Sequence, residues 1–134
     1  MLHDPNTEWE WENFTPEEMA CKCCGQVRID EGFMDRLQYM RENAGFQFKI
    51  NSAYRCRKHN KRIGGASNSA HTQGRAVDIG CSHKEADWLI DNAKRFGFTG
   101  RGVNQKGDLA GRFVHLDDLL PGETGSPRPH TWSY

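Results

Sequence analysis

The chain has 134 residues, with 18 basic and 18 acidic side chains that cancel to a formal charge of zero, and 36% of its residues are hydrophobic. That length allows one domain with a core of its own, and the charge balance leaves no overall field to draw the chain onto nucleic acid or an anionic membrane. No run of about 18 apolar residues occurs, which excludes a helical membrane span, and the low hydrophobic share favours a compact core with a site built on loops.

In chain order, the first residues, MLHDPNTEWEWENF, are acidic and aromatic. They carry neither a basic n-region nor an apolar h-region, so the expectation is a protein made in the cytoplasm without a standard export signal, with residues 1–12 irregular. Thr15, Pro16 and Glu18 then read as a helix opening: an N-cap, a proline at the first helical position and a capping-box partner. This helix is short because it runs into Cys21, Cys23, Cys24 and Gly25. Five cysteines, three of them crowded together, do not resemble a disulfide framework, so reduced thiols are expected. A structural zinc site on that cluster is one reading, but a CxCC without a second matched pair lacks the full spacing of a zinc module, and small buried side chains are the simpler account.

Asp30 caps a second predicted helix, in which Phe33, Leu37 and Met40 recur at helical spacing and Gly45 marks the end. From Phe46 to Arg55 the pattern alternates, which predicts a strand with Arg55 at its end. Residues 56–74 hold Gly64, Gly65 and Gly74 among polar side chains with no apolar periodicity, and read as a loop. His59 and the basic cluster Arg57, Lys58, Lys61 and Arg62 are read there as solvated. Arg75 to Ile79 is a second strand, with Val77 and Ile79 on one face and Ala76 and Asp78 on the other. Ser82 and Glu85 fit a capping box for a helix carrying Ala86, Leu89, Ile90, Ala93 and Phe96 and stopping at Gly97. Residues 97–111 read as a glycine-rich loop, Arg112 to Asp117 as a third strand, and the tail as partly irregular, ending in Trp132 and Tyr134.

Three residues on these elements suit a catalytic zinc site, which uses three protein ligands and leaves a fourth position open. His71 lies at the end of the loop and Asp78 on the strand that follows, with Gly74 free to turn the chain between them. His115 is the natural third: alternation puts it on the face of Phe113 and Asp117, opposite Val114 and Leu116. Taken singly, a strand histidine is more often a hydrogen-bonded polar residue than a ligand, and an aspartate after a glycine loop is often a turn former.

The combination is more specific. Ser52-Ala53-Tyr54-Arg55, His59-Asn60, Gly64-Gly65-Ala66, the series Ser69, His71, Gly74, Ala76, Asp78, and Phe113-Val114-His115-Leu116-Asp117 closely resemble the zinc peptidases of the D-alanyl-D-alanine carboxypeptidase and L-alanyl-D-glutamate endopeptidase type, a superfamily shared with lysostaphin-type enzymes and the hedgehog domain. The resemblance spans residues 13–134, and Arg128, Pro129, Trp132 and Tyr134 match a C-terminal pattern of phage-encoded members. It implies an α+β fold, a single domain over residues 1–134 with a short central antiparallel sheet flanked by helices, and long loops around a zinc cleft. It further implies one catalytic zinc on His71, Asp78 and His115, a carboxylate- or carbonyl-binding Arg55, and Ser69 and Trp132 beside it at the substrate. The implied substrates are stem peptides of bacterial peptidoglycan, acted on by a monomer that reaches the wall during lysis or in a virion. The sequence departs from several relatives at Arg112, where they carry the catalytic acid. Asp117 is the candidate general base or, equally, an orienting partner of His115, with Glu123 and His130 as weaker candidates for the base. Arg112 also keeps open a catalytically inactive, zinc-containing peptidoglycan-binding module. An interaction protein centred on the cysteines is the third possibility.

Overall fold

The computed structural model describes residues 1–134. Helix α1 (Pro16–Met19) begins at Thr15, whose hydroxyl accepts from the Glu18 amide while the Glu18 carboxylate accepts from the Thr15 amide, so the capping box forms as expected. Helix α2 (Glu31–Ala44) is capped by Asp30, which accepts from the Phe33 amide at 3.0 Å, and ends at Gly45 in the left-handed conformation. Its face of Phe33, Met34, Leu37 and Met40 is fully buried.

Five strands follow: β1 (Lys49–Ser52), β2 (Ala76–Gly80), β3 (Gly100–Asn104), β4 (Phe113–Asp117) and β5 (His130–Ser133), in the order β1-β2-β4-β3-β5. The fold is α+β, in one sheet with helices, but the sheet is mixed and not antiparallel throughout, because β5 runs parallel to β3 along its outer edge. Period-two alternation sorts the two faces. Val77 pairs with Leu116 and Ile79 with Val114, and all four join the core against α2 and helix α4 (His83–Asn92). The alternate pairs, Ala76 with Asp117 and Asp78 with His115, point the other way.

Several expectations need correction. The strand read over 46–55 is only four residues long; its register slips between Ile50 and Ser52, and Arg55 lies beyond its end. Residues 56–74 include helix α3 (Arg57–Arg62), capped by the Cys56 sulfur, and a single 3-10 turn at Ala70–Gln73. Helix α3 buries only Asn60, so it has no apolar stripe for periodicity to detect. Ser82 makes no capping hydrogen bond: His83, the first residue of α4, is left-handed at φ 52°, which breaks the geometry a capping box requires. The glycine-rich stretch holds β3, a full partner of β4, and the irregular tail holds β5. Residues 1–12 have little regular structure, yet Trp9 and Trp11 pack edge-on at 5.0 Å with His3 against both, and Trp11 is buried in the core.

Candidate metal centre and cleft

The polar face of the sheet floors a cleft of about 510 Å³. His71 reaches it from the 3-10 turn, where the Ser69 hydroxyl accepts from the His71 amide at 3.2 Å and Gly74 closes the turn at φ 69°. A side chain at Gly74 would also collide with the backbone of Arg28 and Ile29, so the position requires glycine twice over. Asp78 and His115 face one another across β2 and β4. One carboxylate oxygen, Asp78 Oδ1, stands 3.1 Å from His71 Nε2 and 3.0 Å from His115 Nδ1. The three ligand atoms all lie within 4.8 Å of one another, and all three residues are buried.

This donor set fits zinc. Ligand bonds of about 2.0–2.1 Å on a tetrahedron put donor atoms about 3.4 Å apart, close to the two separations made by Asp78 Oδ1. The outward nitrogens are also occupied: His71 Nδ1 meets the Ala53 carbonyl at 2.7 Å, and His115 Nε2 meets Asp117 Oδ2 at 2.8 Å. With those nitrogens donating their protons outward, each imidazole turns a lone pair toward the centre. Burial pushes the Asp78 carboxyl up, but the two imidazoles outweigh it and hold the group far below the usual carboxylate range. Burial lowers His71, whereas at His115 the carboxylates of Asp117 and Asp78 overcome burial and raise it.

Asp117 sits in the floor, fully buried. Arg128 donates to both its oxygens at 2.8 Å, a bidentate fork, and His115 holds Oδ2 as well. Although burial opposes it, these bonds bring the Asp117 carboxyl down to about 2. Both oxygens are thus engaged, which suits a residue that orients His115. Arg55 lines the cleft with its guanidinium spread over three partners: Ser52 Oγ at 3.1 Å, Asn60 Oδ1 at 3.1 Å and Asp78 Oδ2 at 3.3 Å. Ser69 lines it too, with its hydroxyl already serving as the cap of the 3-10 turn. Trp132 forms a wall, its ring 5.1 Å from His115 and stacked on His130 at 5.5 Å, with Arg128 5.2 Å from its centroid.

The remaining candidates lie elsewhere or in other roles. Glu123 is bound to Arg75 at 2.6 Å and to the Leu120 amide, and does not line the cleft. Arg112 bonds the Gly107 carbonyl at 3.1 Å and is also absent from the lining. His130 and Tyr134 do line it. The sequence motifs include Arg128 and Asn60 but assign neither a role: that Arg128 pairs with the buried Asp117 and that Asn60 holds Arg55 emerge only in the folded chain. The glycines of β3 were read as loop.

Residues 12–117 match the family model described as Peptidase M15. No curated protein matches the chain. The matched stretch takes in His71, Asp78, His115, Arg55 and Asp117 and stops at the end of β4, so β5 and its cleft-lining side chains lie outside it.

Proposed function

We propose that this chain, which belongs to the Peptidase M15 family, is a zinc metallopeptidase that hydrolyses the stem peptides of bacterial peptidoglycan, as an endolysin-like endopeptidase or a carboxypeptidase. What carries the proposal is the convergence of His71 Nε2, Asp78 Oδ1 and His115 Nδ1 on one point in the floor of the cleft. When bound there, zinc supplies Lewis acidity and a water activated near neutral pH.

The chain's own residues supply the rest. Arg55, pre-oriented by Ser52, Asn60 and Asp78, offers its charge to a substrate carboxylate or to the oxygen that becomes negative as the amide is attacked. Asp117 positions His115, fixing its tautomer through the bond to Nε2. His130, exposed on the wall beside Trp132, is the candidate to take the proton of the attacking water and return it to the leaving amine. Trp132 and Ser69 bound the groove along which the peptide lies. The C-terminal Arg128, Pro129, Trp132 and Tyr134 support a phage-type protein that meets the wall during lysis or in a virion.

A second proposal, a zinc-retaining module that binds peptidoglycan without cutting it, is favoured by one observation. The carboxylates lining the cleft are Asp78 and Asp117, and both are engaged. Purified cell wall incubated with wild type, His71→Ala and His130→Ala separates the two, with released amino groups and bound zinc measured together. Hydrolysis predicts new amines from wild type, none from His71→Ala together with one zinc fewer per chain, and full zinc but about 10²-fold slower release from His130→Ala. Wild type that binds wall and zinc but releases no amine establishes the binding module instead.

A further inference from the structure

Away from the cleft, a second set of ligand atoms converges. The sulfurs of Cys21, Cys23, Cys24 and Cys56 all lie within 4.8 Å of one another. Cys21 and Cys23 Sγ are 3.7 Å apart, and Cys23 and Cys56 Sγ 3.4 Å. Four thiolates bound at about 2.3 Å on a tetrahedron stand about 3.8 Å from one another, so both separations fall within about half an ångström of that edge.

The backbone is built to aim them. After α1 the chain folds back tightly: the Gly25 amide donates to the Cys21 carbonyl at 2.8 Å, and the Cys21 amide donates to the Gln26 carbonyl at 2.9 Å. This turn gathers three thiols, and the fourth arrives from the start of α3. There the Cys56 amide donates to Cys21 Sγ at 3.4 Å, while Cys56 Sγ accepts from the His59 amide at 3.4 Å. Amides that donate to sulfur are the outer contacts expected around bound thiolates. Apolar packing accounts for Cys21, which is buried in the core, and for Cys56 beside it, but not for Cys23 and Cys24, which are exposed where small buried side chains were expected. The second matched pair missing from the local sequence is completed in space by Cys56.

We infer that Cys21, Cys23, Cys24 and Cys56 hold a structural zinc ion separate from the centre in the cleft. Four soft ligands from the protein leave no open coordination position, the mark of a structural site and not a catalytic one. Binding releases the thiol protons and adds its free energy to folding. The ion ties residues 20–30, which have almost no regular structure, to the segment bearing Arg55, the neighbour of Cys56. It therefore helps to set the entry of α3 and the placement of Arg55.

The test uses the full chain carrying His71→Ala and Asp78→Ala, which leaves the cysteines as the one remaining ligand cluster. Purified under reducing conditions, this protein is expected to retain one zinc per chain. In the cobalt form it should show sulfur-to-metal charge-transfer bands and the intense visible bands of a tetrahedral thiolate. Cys23→Ser with Cys24→Ser should abolish that spectrum, and Cys81→Ser should leave it intact. Should the cysteine variant fail to fold, chelation of the parent protein gives the same information, because its melting temperature should fall and recover when zinc is restored. The inference is overturned if the reduced, folded protein binds neither zinc nor cobalt, or if its mass shows a disulfide among the four. None of these readouts depends on peptide hydrolysis, so failure of the proposed activity leaves them standing.

Discussion

Gly100 stands opposite Asp117 and Gly102 opposite His115, and both matter because of what leans over them. A methyl group on Gly100 would collide with the Asp117 carboxylate, which cannot yield without breaking its bonds to His115 and Arg128. On Gly102 it would lie 2.8 Å from the Trp132 ring. Glycine within a strand marks such close approaches, and these two let the acid and the wall of the cleft sit directly against β3. Gly100→Ala is accordingly expected to destabilise the chain by about 1–3 kcal/mol, the cost of overpacking a site that cannot relax, as read by urea unfolding. Asp117→Asn keeps the shape and removes the charge. If Asp117 acts by orienting His115, zinc at the cleft centre weakens by about 10- to 100-fold, measured by competition with a chromophoric chelator. Unchanged affinity with lost hydrolysis would return Asp117 to the role of base. At this scale the choice of His71, Asp78 and His115 as candidate metal ligands was legible from the sequence, and the fold brings the three together. The occupation of Asp117 was not, because Arg128 is local to it only after folding.

At the scale of elements, β5 is the piece that finishes the cleft. It pairs with β3 through His130, Thr131, Trp132 and Ser133, and the residues just before it bring Arg128 onto Asp117. Truncation after Ser126 would leave the Asp117 carboxylate buried without its cation, a loss on the order of 3–5 kcal/mol. Thermal unfolding should therefore show a much less stable chain, with hydrolysis lost along with His130 and Trp132. Arg128→Ala should reproduce most of the stability loss with β5 still present, whereas a truncated chain as stable as wild type would mean that β5 adds nothing to the fold. Helix α3 works differently: it buries little, and its register depends on the Cys56 cap and on Asn60, which donates to the Ala66 carbonyl at 2.8 Å and accepts from Arg55. Neither contact has an apolar period, so an alternation-based reading passes over the helix.

Across the whole molecule, with formal charges balanced, pH acts through a few buried groups. Asp117 has a folded pKa of about 2 against an ordinary value of 3.8. A carboxyl depressed by folding contributes stability above its unfolded value, and that contribution is lost as pH falls through the folded one. For Asp117 the window runs from about pH 4 to about pH 2 and the loss is on the order of 2 kcal/mol. Asp78 is shifted in the same direction, by its two histidines. Asp118 opposes both, because burial outweighs its bonds to Arg75 and raises it. Urea unfolding of metal-free protein through this range should fall more steeply for wild type than for Asp117→Asn; parallel curves would mean that folding leaves the Asp117 carboxyl unshifted. Short-range chemistry settles what neighbouring residues decide among themselves: the caps at Thr15 and Asp30, the buried stripe of α2, and the period-two alternation that turns Val77, Ile79, Val114 and Leu116 inward and Asp78 and His115 outward. Only the folded chain sets the pairing of β3 and β5, the clasp of Arg128 on Asp117, and the meeting of Cys56 with Cys21, Cys23 and Cys24. Each joins groups on separate elements, and the free energy that selects them comes from desolvation and pairing that exist only once the rest of the sheet has closed.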